Sequence, residues 1–223
     1  MVDVDELRKR HVKLIGGIAI ENRKRLGNGG TLACIVFDKD TGEPLGLSNR
    51  HILTKRIGSL VIQPNGKKRT KKYVVGSVYK KGGRGDINDF AVFKLRSENR
   101  DYDKENSIYG LDGLITDFVD PVEGMKVQKV GKRTGLTFGI IGKKRDSVRY
   151  TILPNLEKNE PGQEISEGGD SGALWVTDDN KKIRAVALHN AGEGDDSSKD
   201  EAYAIPIRRV LEKLNVRFWN SDE

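Results

Sequence analysis

Cysteine and long apolar segments are what this sequence has least of. Its single cysteine, Cys34, cannot form an internal disulfide bond, whereas small secreted domains commonly depend on several. The longest apolar runs, such as 31–37 and 185–188, have the length of a strand, far below the roughly 20 residues of a membrane-spanning helix. The charged segment 1–10 also lacks the apolar stretch of a secretory signal. We therefore expect a cytoplasmic protein with no membrane partner, unless an export signal has been removed from this sequence.

Residues that bind metals or react through sulfur are also scarce. The three histidines are dispersed and, with one cysteine, match no familiar zinc spacing. Cys34 lies in the apolar run 31–37 with no flanking charge to lower the pKa of its thiol, so we expect an inert core residue. The sequence predicts neither a metal site nor any other cofactor.

The net charge of +7 is modest, although an excess of this sign can attract an anionic partner. The basic clusters are short, fall where hairpin turns are expected and accompany no nucleic-acid-binding motif. They comprise 67–69, 71–72, 80–81 and 143–145. We interpret them as solvated turns and do not expect nucleic acid as a partner.

The apolar residues that are present, 35% of 223, recur in short runs typical of β-strands. One group comprises 17–20, 31–37, 44–47, 60–63, 73–79 and 90–95. A second comprises 126–130, 136–142, 148–153, 172–176, 183–189 and 202–207. The stretch 97–106 between them is too polar to form core. Two groups of six strands predict two small antiparallel β-barrels.

Each end of the chain carries a helical pattern. Residues 3–14 are predicted to form a short amphipathic helix capped by Asp3 or Asp5, and 206–214 a C-terminal helix with Pro206 near its first turn. The expected organisation is a helical extension over 1–15, a first barrel over 16–110, and a second barrel with the C-terminal helix over 111–223.

The segment Gly168-Gly169-Asp170-Ser171-Gly172 carries the strongest chemical signal. Its glycines permit a tight turn in which the N–H groups of Gly169 and Ser171 can point at one position, as an oxyanion hole requires. Ser171 begins an apolar run that would anchor it on a strand. Such a string also occurs by chance in turns, so partners are needed before Ser171 is a candidate nucleophile.

Two partners precede Ser171 in the chain. His51 follows a predicted strand and is the candidate general base, and Asp89 opens the strand 90–95, where a partly buried carboxylate needs a partner such as imidazole. Asp86 is the alternative acid, which we place second because it does not abut the strand. The order His, Asp, Ser is one of the known orders for such triads.

At these residues the sequence resembles the trypsin-like peptidase superfamily, and more closely the bacterial proteins related to the plant narrow-leaf proteases. The similar segments are 30–53, 130–139, 167–173 and 204–211. One departure is Asn49-Arg50, where small residues usually precede the histidine. The resemblance implies an all-β, chymotrypsin-like pair of six-stranded antiparallel barrels and a trypsin-like serine endopeptidase with Ser171, His51 and Asp89 in the roles given above.

The resemblance also suggests specificity and mode of activation. Ser166, His189, Asn190 and Gly192 would line the S1 pocket, which takes the substrate side chain preceding the scissile bond (P1). Glutamate-specific relatives place a histidine and a hydroxyl residue at the positions of His189 and Ser166, so we expect a preference for acidic P1 residues. We expect activity without cleavage; the alternative is cleavage before Ile15, whose new terminus would pair with Asp170.

The expected partner is a protein or peptide substrate, and a regulatory protein partner is a further possibility. The alternative function is a non-catalytic binding module on a protease fold that holds an acidic protein or nucleic acid. A complete set of His51, Asp89 and Ser171 argues against it, since relatives that lose activity usually lose a member of the triad.

Overall fold

The computed structural model describes residues 2–24, 27, 29–53, 56–64, 71–96, 98, 100–178, 183–193 and 200–218. Strands dominate this part of the chain. One helix lies near each end, and a third, short helix contains the candidate base His51.

The described residues of the first half form nine strands and two helices. They are α1 (Val4–Arg8), β1 (Lys13–Leu14), β2 (Ala19–Asn22), β3 (Gly30–Thr31), β4 (Cys34–Asp38), β5 (Pro44–Ser48), α2 (Arg50–Leu53), β6 (Leu60–Ile62), β7 (Val74–Lys81), β8 (Ala91–Leu95) and β9 (Asp101–Tyr102). Two 3₁₀ turns span Lys71–Tyr73 and Asp86–Asn88.

In the second half, the part of the chain that the structure describes contains eight strands and one helix. They are β10 (Ile115–Phe118), β11 (Lys126–Gly131), β12 (Gly135–Lys144), β13 (Tyr150–Pro154), β14 (Leu174–Thr177), β15 (Ile183–Gly192), β16 (Ala202–Pro206), α3 (Ile207–Leu214) and β17 (Val216–Arg217).

The strands pair into two main sheets. The first has the order β17-β4-β5-β8-β7-β6-β2-β3 and forms a half-barrel, while the second has the order β10-β15-β14-β11-β12-β13-β16 and closes into a six-stranded barrel because β15 also pairs with β16. The prediction of an all-β protein with two barrels and a short helix near each end is confirmed. Two short pairs, β1 with β9 and β10 with β15, are parallel.

Three apolar clusters support these sheets. One lies within the first sheet around Val75, Ala91 and Phe93, and one within the closed barrel around Val186 and Trp175. The largest joins residues of both sheets with α3, whose buried face is Ile207, Val210, Leu211 and Leu214. This shared cluster fixes the position of one sheet relative to the other, and the candidate site lies in the cleft between them.

The C-terminal helix follows its prediction, and β17 after it pairs with β4 of the first sheet. The chain thus returns to the first half. No helix within the described ranges is long and apolar enough to cross a membrane. Cys34 is fully buried on β4, which confirms it as a core residue, and burial raises the pKa of its thiol.

The predicted N-terminal helix over 3–14 is wrong in extent. The Asp3 side chain caps α1 by accepting from the Asp5 N–H at 2.9 Å, but the helix ends at Arg8. Residues 13–14 instead pair with β9, which buries Leu14 completely and leaves Val12 81% exposed. Pairing with a distant strand thus places Leu14 in the core, and helical periodicity in the sequence does not reveal such a contact.

The polar stretch 97–106 was expected to lie outside the core, and its described residues contradict that. Arg100, Asp103 and Asn106 are buried. Each makes at least one protein hydrogen bond, as where Asn106 Oδ1 accepts from the Ile35 N–H at 3.1 Å, although Arg100 Nε and Nη2 and Asn106 Nδ2 have no partner among the described residues. A polar segment can be interior where its groups find partners, and sequence pattern does not reveal that.

Candidate active site

The adjacency of β5 and β8 brings His51 and Asp89 together. Ser48 at the end of β5 pairs with Ala91 at the start of β8, so α2 after β5 and the turn before β8 meet at one edge of the sheet. His51 Nδ1 donates to Asp89 Oδ2 at 2.5 Å, and the backbone N–H of His51 donates to Asp89 Oδ1 at 2.9 Å. Both oxygens of the carboxylate therefore orient the histidine.

Asp89 is 6% exposed and is held by two amides besides the histidine. Asn190 Nδ2 donates to its Oδ2 at 2.8 Å, and Asn49 Nδ2 donates to its backbone carbonyl at 2.7 Å. The departure at Asn49 noted in the sequence thus has a structural reason, because this side chain fixes the backbone of Asp89. The rival Asp86 has a side chain 76% exposed and lies 3.3 Å from Arg149.

Arg149, the residue just before β13, fixes the orientation of Asn190. Its guanidinium donates to Asn190 Oδ1 at 3.0 Å and to Asp146 Oδ2 at 2.7 Å. Arginine has no acceptor, so the oxygen of the Asn190 amide must face Arg149 and its NH₂ group must face Asp89. A chain of directed hydrogen bonds therefore runs from Asp146 to Asp89.

Ser171 lies in a turn that leads into β14. Its carbonyl accepts from the Thr31 N–H at 2.9 Å, and the next residue, Gly172, donates to the His189 carbonyl at 3.0 Å. Gly172 has a φ of 94°, and a Cβ there would lie 2.2 Å from Ser48 Oγ. Only glycine permits this approach of the two sheets around Ser171. The Ser171 hydroxyl itself lies 3.4 Å from the Asn190 carbonyl oxygen.

The backbone on either side of Asp170 offers two N–H groups. Gly169 has a φ of 127°, a conformation that side chains rarely adopt. Its carbonyl accepts from Thr31 Oγ1 at 3.0 Å, which fixes the peptide from the opposite side. Within the described part of the chain, the N–H groups of Gly169 and Ser171 have no hydrogen-bond partner. Two unpaired donors near one hydroxyl can bind an anionic oxygen.

Asp170 points away from that position into a fully buried ion pair. Lys129 Nζ lies 3.0 Å from Asp170 Oδ2, and neither side chain is exposed. Thr134 Oγ1 donates to the same oxygen at 2.6 Å, and the Arg133 N–H donates to the other at 2.9 Å. Burial raises the pKa of Asp170, but Lys129 and these donors outweigh it and hold the pKa to about 2.

Three predicted S1 residues form a connected group. His189 Nε2 lies 3.1 Å from Ser166 Oγ, while His189 Nδ1 accepts from the Trp175 indole N–H at 3.2 Å. A Cβ on Gly192 would lie 2.2 Å from Ser166 Oγ, so glycine makes room for this hydroxyl. Burial and the charge of Lys129 lower the pKa of His189 to about 3, so its ring is neutral.

A single cavity of about 560 Å³ collects these side chains. It is lined by Arg50, His51, Gly85, Asp86, Asp89, Ser166, Glu167, Gly168, Ser171, His189, Asn190, Ala191, Gly192 and Glu193. Every predicted catalytic and S1 residue lies on it, and Gly169 directly follows the lining residue Gly168. In the described ranges no three His, Cys, Asp or Glu side chains converge as metal ligands would.

The sequence analysis did not identify Lys129, Arg149 and Trp175, whose side chains orient Asp170, Asn190 and His189 in the site. Lys129 and Arg149 each lie 41 positions from the groups they orient, Asp170 and Asn190, and Trp175 lies 14 positions from His189. Each lies in an ordinary strand pattern with no local mark of its contact. Of the missed group, only Asn49 carried a signal, as a departure from the pattern of the resemblance.

No family model and no curated protein matches the chain. Among solved structures, the Nocardiopsis protease NAPase aligns with a TM-score of 0.66 at 18% identity, covering 92% of this chain and 98% of that one. A glutamic acid-specific serine protease, described as using a histidine triad in substrate binding, has a TM-score of 0.65 at 19% identity, with 92% and 100% covered.

The chymotrypsin of Cellulomonas bogoriensis has a TM-score of 0.65 at 17% identity, with 94% of this chain and 100% of that chain covered. At such identities the likeness shows the fold, and the relation to plant narrow-leaf proteases stays a prediction. The chain has the chymotrypsin-like double-barrel fold shared by these serine proteases.

Proposed function

We propose that this protein is a serine endopeptidase that cleaves peptide bonds through an acyl-enzyme on Ser171. The observation that carries the proposal is the directed His51–Asp89 hydrogen bond in the same cavity as Ser171, beside two unpaired backbone N–H groups. A base, an acid that orients it, a hydroxyl and an oxyanion site are the four parts that acyl transfer requires. The solved serine proteases of the same fold support it.

The hydrogen bonds assign each group a role. Because Asp89 accepts from Nδ1 of His51, the neutral ring has its lone pair on Nε2. That nitrogen takes the proton of Ser171 as the hydroxyl attacks the substrate carbonyl, and then gives it to the leaving amine. The Ser171 hydroxyl rotates from the Asn190 carbonyl toward His51 for this step. The N–H groups of Gly169 and Ser171 bind the oxyanion.

The ion pair of Asp170 supports activity without cleavage. The expected alternative placed a new terminus at Ile15 beside Asp170, but the cation in contact with that carboxylate is Lys129. The backbone on the C-terminal side of Ile15 is also occupied, since the Gly16 N–H donates to Ser107 and the Gly17 N–H to Leu32. Lys129 thus supplies the charge that keeps the Gly169–Ser171 turn in place.

For specificity we infer a preference for acidic P1 residues. His189 donates through Nε2 to Ser166 Oγ, which leaves the hydroxyl hydrogen of Ser166 free to bond a substrate. A carboxylate accepts such bonds more strongly than an amide does. The glutamic acid-specific protease among the similar structures supports this by analogy of fold.

Acidic groups on the cavity would oppose an acidic substrate, but each is paired. Glu167 bonds Arg133 at 2.7 Å, Glu193 lies 3.4 Å from Arg145, and Asp86 lies 3.3 Å from Arg149. The pairs of Glu167 and Glu193 are partly exposed, so solvent screens their charges, and the exposed carboxylate of Asp86 faces an Arg149 side chain that is only 13% exposed. Within the S1 pocket itself, the neutral donors of Ser166 and His189 decide the preference.

A fluorophosphonate probe tests the peptidase proposal. The native protein should be labelled, and Ser171→Ala should lose labelling and about five to six orders of magnitude in turnover. Ser166→Ala removes a hydroxyl from the same cavity and should still be labelled. Binding of an acidic protein that persists in Ser171→Ala, with no peptide hydrolysed by the native protein, would establish the binding-module alternative instead.

Matched peptides with Glu, Gln, Lys or Leu at P1 test the specificity. We expect kcat/KM for Glu to exceed that for Gln roughly 10- to 100-fold, the range of a hydrogen bond to a charged group. Ser166→Ala should reduce the advantage, while Ser59→Ala at an exposed turn should not. Cleavage chiefly after Lys, Arg or Leu would contradict the inference.

A further inference from the structure

The two ring nitrogens of His189 have different partners: Ser166 lies at Nε2 and Trp175 at Nδ1. Trp175 is fully buried on β14, and its indole N–H donates to His189 Nδ1 across the pairing of β14 with β15. The two ring centroids are 6.1 Å apart. Indole N–H is a donor only, so Nδ1 of His189 must be the unprotonated nitrogen.

The position of the histidine hydrogen follows from this contact. A neutral imidazole with a bare Nδ1 carries its hydrogen on Nε2, the nitrogen 3.1 Å from Ser166 Oγ. A protonated ring would also carry a hydrogen on Nδ1, facing the hydrogen of the Trp175 indole. The contact thus favours both one tautomer and the neutral state.

Charged groups around His189 act in both directions. Burial opposes a positive ring most, Lys129 and His51 oppose it as like charges, and Asp170 favours it. Lys129 lies 5.3 Å from the centre of the Trp175 ring and is bonded to Asp170. The net charge beside His189 is therefore near zero, which leaves burial and the Trp175 hydrogen bond to decide its state.

We propose that Trp175 is a positioning residue for substrate selection, which holds His189 neutral with its Nε2–H toward Ser166 and the S1 pocket. The selection of an acidic P1 side chain then depends on fixed donors and not on a charged histidine. This inference rests on the proposed peptidase function. The other two histidines have their own partners, His11 at the Glu6 carbonyl and His51 at Asp89, and it is Trp175 that donates to Nδ1 of His189.

The ring state can be measured without catalysis. In ¹⁵N-histidine-labelled Ser171→Ala protein at pH 7, His189 should show a bare Nδ1 and a protonated Nε2, with no titration down to about pH 4.5. Trp175→Phe removes the donor and keeps an aromatic ring. Because a bond to the lone pair favours the neutral form, its loss should raise the titration midpoint by roughly one pH unit and mix the tautomers.

Tyr150→Phe, which changes another aromatic side chain of the same barrel, is the matched control and should leave His189 unchanged. A protonated Nδ1 in the native ring, a midpoint near the ordinary histidine value, or identical spectra in Trp175→Phe would each overturn the proposal. If Trp175→Phe does not fold, the tautomer and the titration of His189 in the native spectrum still test the proposal.

Kinetics test the consequence for selection. The Glu-to-Gln ratio of kcat/KM should be constant from pH 5.5 to 8 in the native protein. In Trp175→Phe it should be roughly fivefold or more lower across this pH range, mainly through KM for Glu, because the Nε2–H of His189 is no longer held toward Ser166. His189→Gln can accept from Trp175 and donate to Ser166, so it should keep a constant ratio. A ratio that is pH-independent and unreduced in Trp175→Phe would overturn the role in selection.

Failure of the underlying function would look different. A native protein that hydrolyses no peptide refutes the peptidase proposal, whereas the His189 spectra still decide whether Trp175 sets the ring state.

Discussion

At the scale of single residues, the Lys129–Asp170 pair shows how a buried charge organises a neighbouring turn. Asp170 lies between Gly169 and Ser171, and both side chains of the pair are fully buried. Taking two charges out of water is costly, and only close partners and further hydrogen bonds offset it. Removing one member leaves a charge with no counter-ion, so the effect of a single substitution should be large.

We therefore expect Lys129→Met to lower the free energy of unfolding by about 3 kcal/mol, because the Asp170 carboxylate stays buried without its cation. Urea unfolding measured in the Ser171→Ala background gives this value. Lys126→Met removes a lysine of the same strand whose pair with Glu157 is exposed, and should change stability little. A double change, Lys129→Met with Asp170→Asn, should recover part of the loss; equal stability of Lys129→Met and native protein would contradict the assignment.

At the scale of elements, the cleft between the two sheets is bridged by directed hydrogen bonds. Asn190 on β15 of the closed barrel donates to Asp89 next to β8 of the half-barrel. Arg149 sets the direction of that amide, since guanidinium can only donate. The orientation of His51 therefore depends on the second barrel as well as on its own sheet.

Arg149→Met should reduce kcat/KM roughly tenfold, the effect of one hydrogen bond to a charged network, with kcat falling more than KM rises. The amide of Asn190 would be free to turn its oxygen toward Asp89. Arg149→Lys keeps a donor and should recover part of the rate, while Arg184→Met, an exposed position on β15, serves as the control. Unchanged steady-state kinetics in Arg149→Met would show that Asn190 orients without it.

At the scale of the whole molecule, two buried groups link stability to pH. His189 has a pKa of about 3 in the folded chain against 6.5 ordinarily, so the unfolded chain binds a proton first as pH falls. Asp170 has a pKa of about 2 against 3.8, so the unfolded chain again binds first at lower pH. Both contributions to stability are present at pH 7 and are lost toward acid.

Unfolding free energy of the Ser171→Ala protein should thus fall between pH 6.5 and 3 by on the order of 4 kcal/mol from His189, with a further ~2 kcal/mol from Asp170 between about pH 4 and 2. Denaturant titrations at a series of pH values measure both. His189→Gln should remove the slope above pH 4 and keep the one below it. A stability that is constant from pH 7 to 4 would contradict a buried neutral histidine.

The strand pattern and the order of His51, Asp89 and Ser171 were readable from the sequence alone. Short apolar runs bounded by turn residues mark the strands, and the glycines at 169 and 172 mark a turn that other residues cannot readily adopt. The C-terminal helix was readable for the same reason, because its four apolar residues lie on one face.

Contacts between distant segments were decided by the tertiary structure. Leu14 joins a strand instead of a helix because β9 passes beside it, and polar residues of 97–106 are interior because the core supplies their partners. Likewise, Lys129, Arg149 and Trp175 meet Asp170, Asn190 and His189 only when the barrel closes. Hydrogen-bond direction and burial arise from such meetings, and they determine charge state and orientation in the site, whereas residue type and spacing determine only which groups are available.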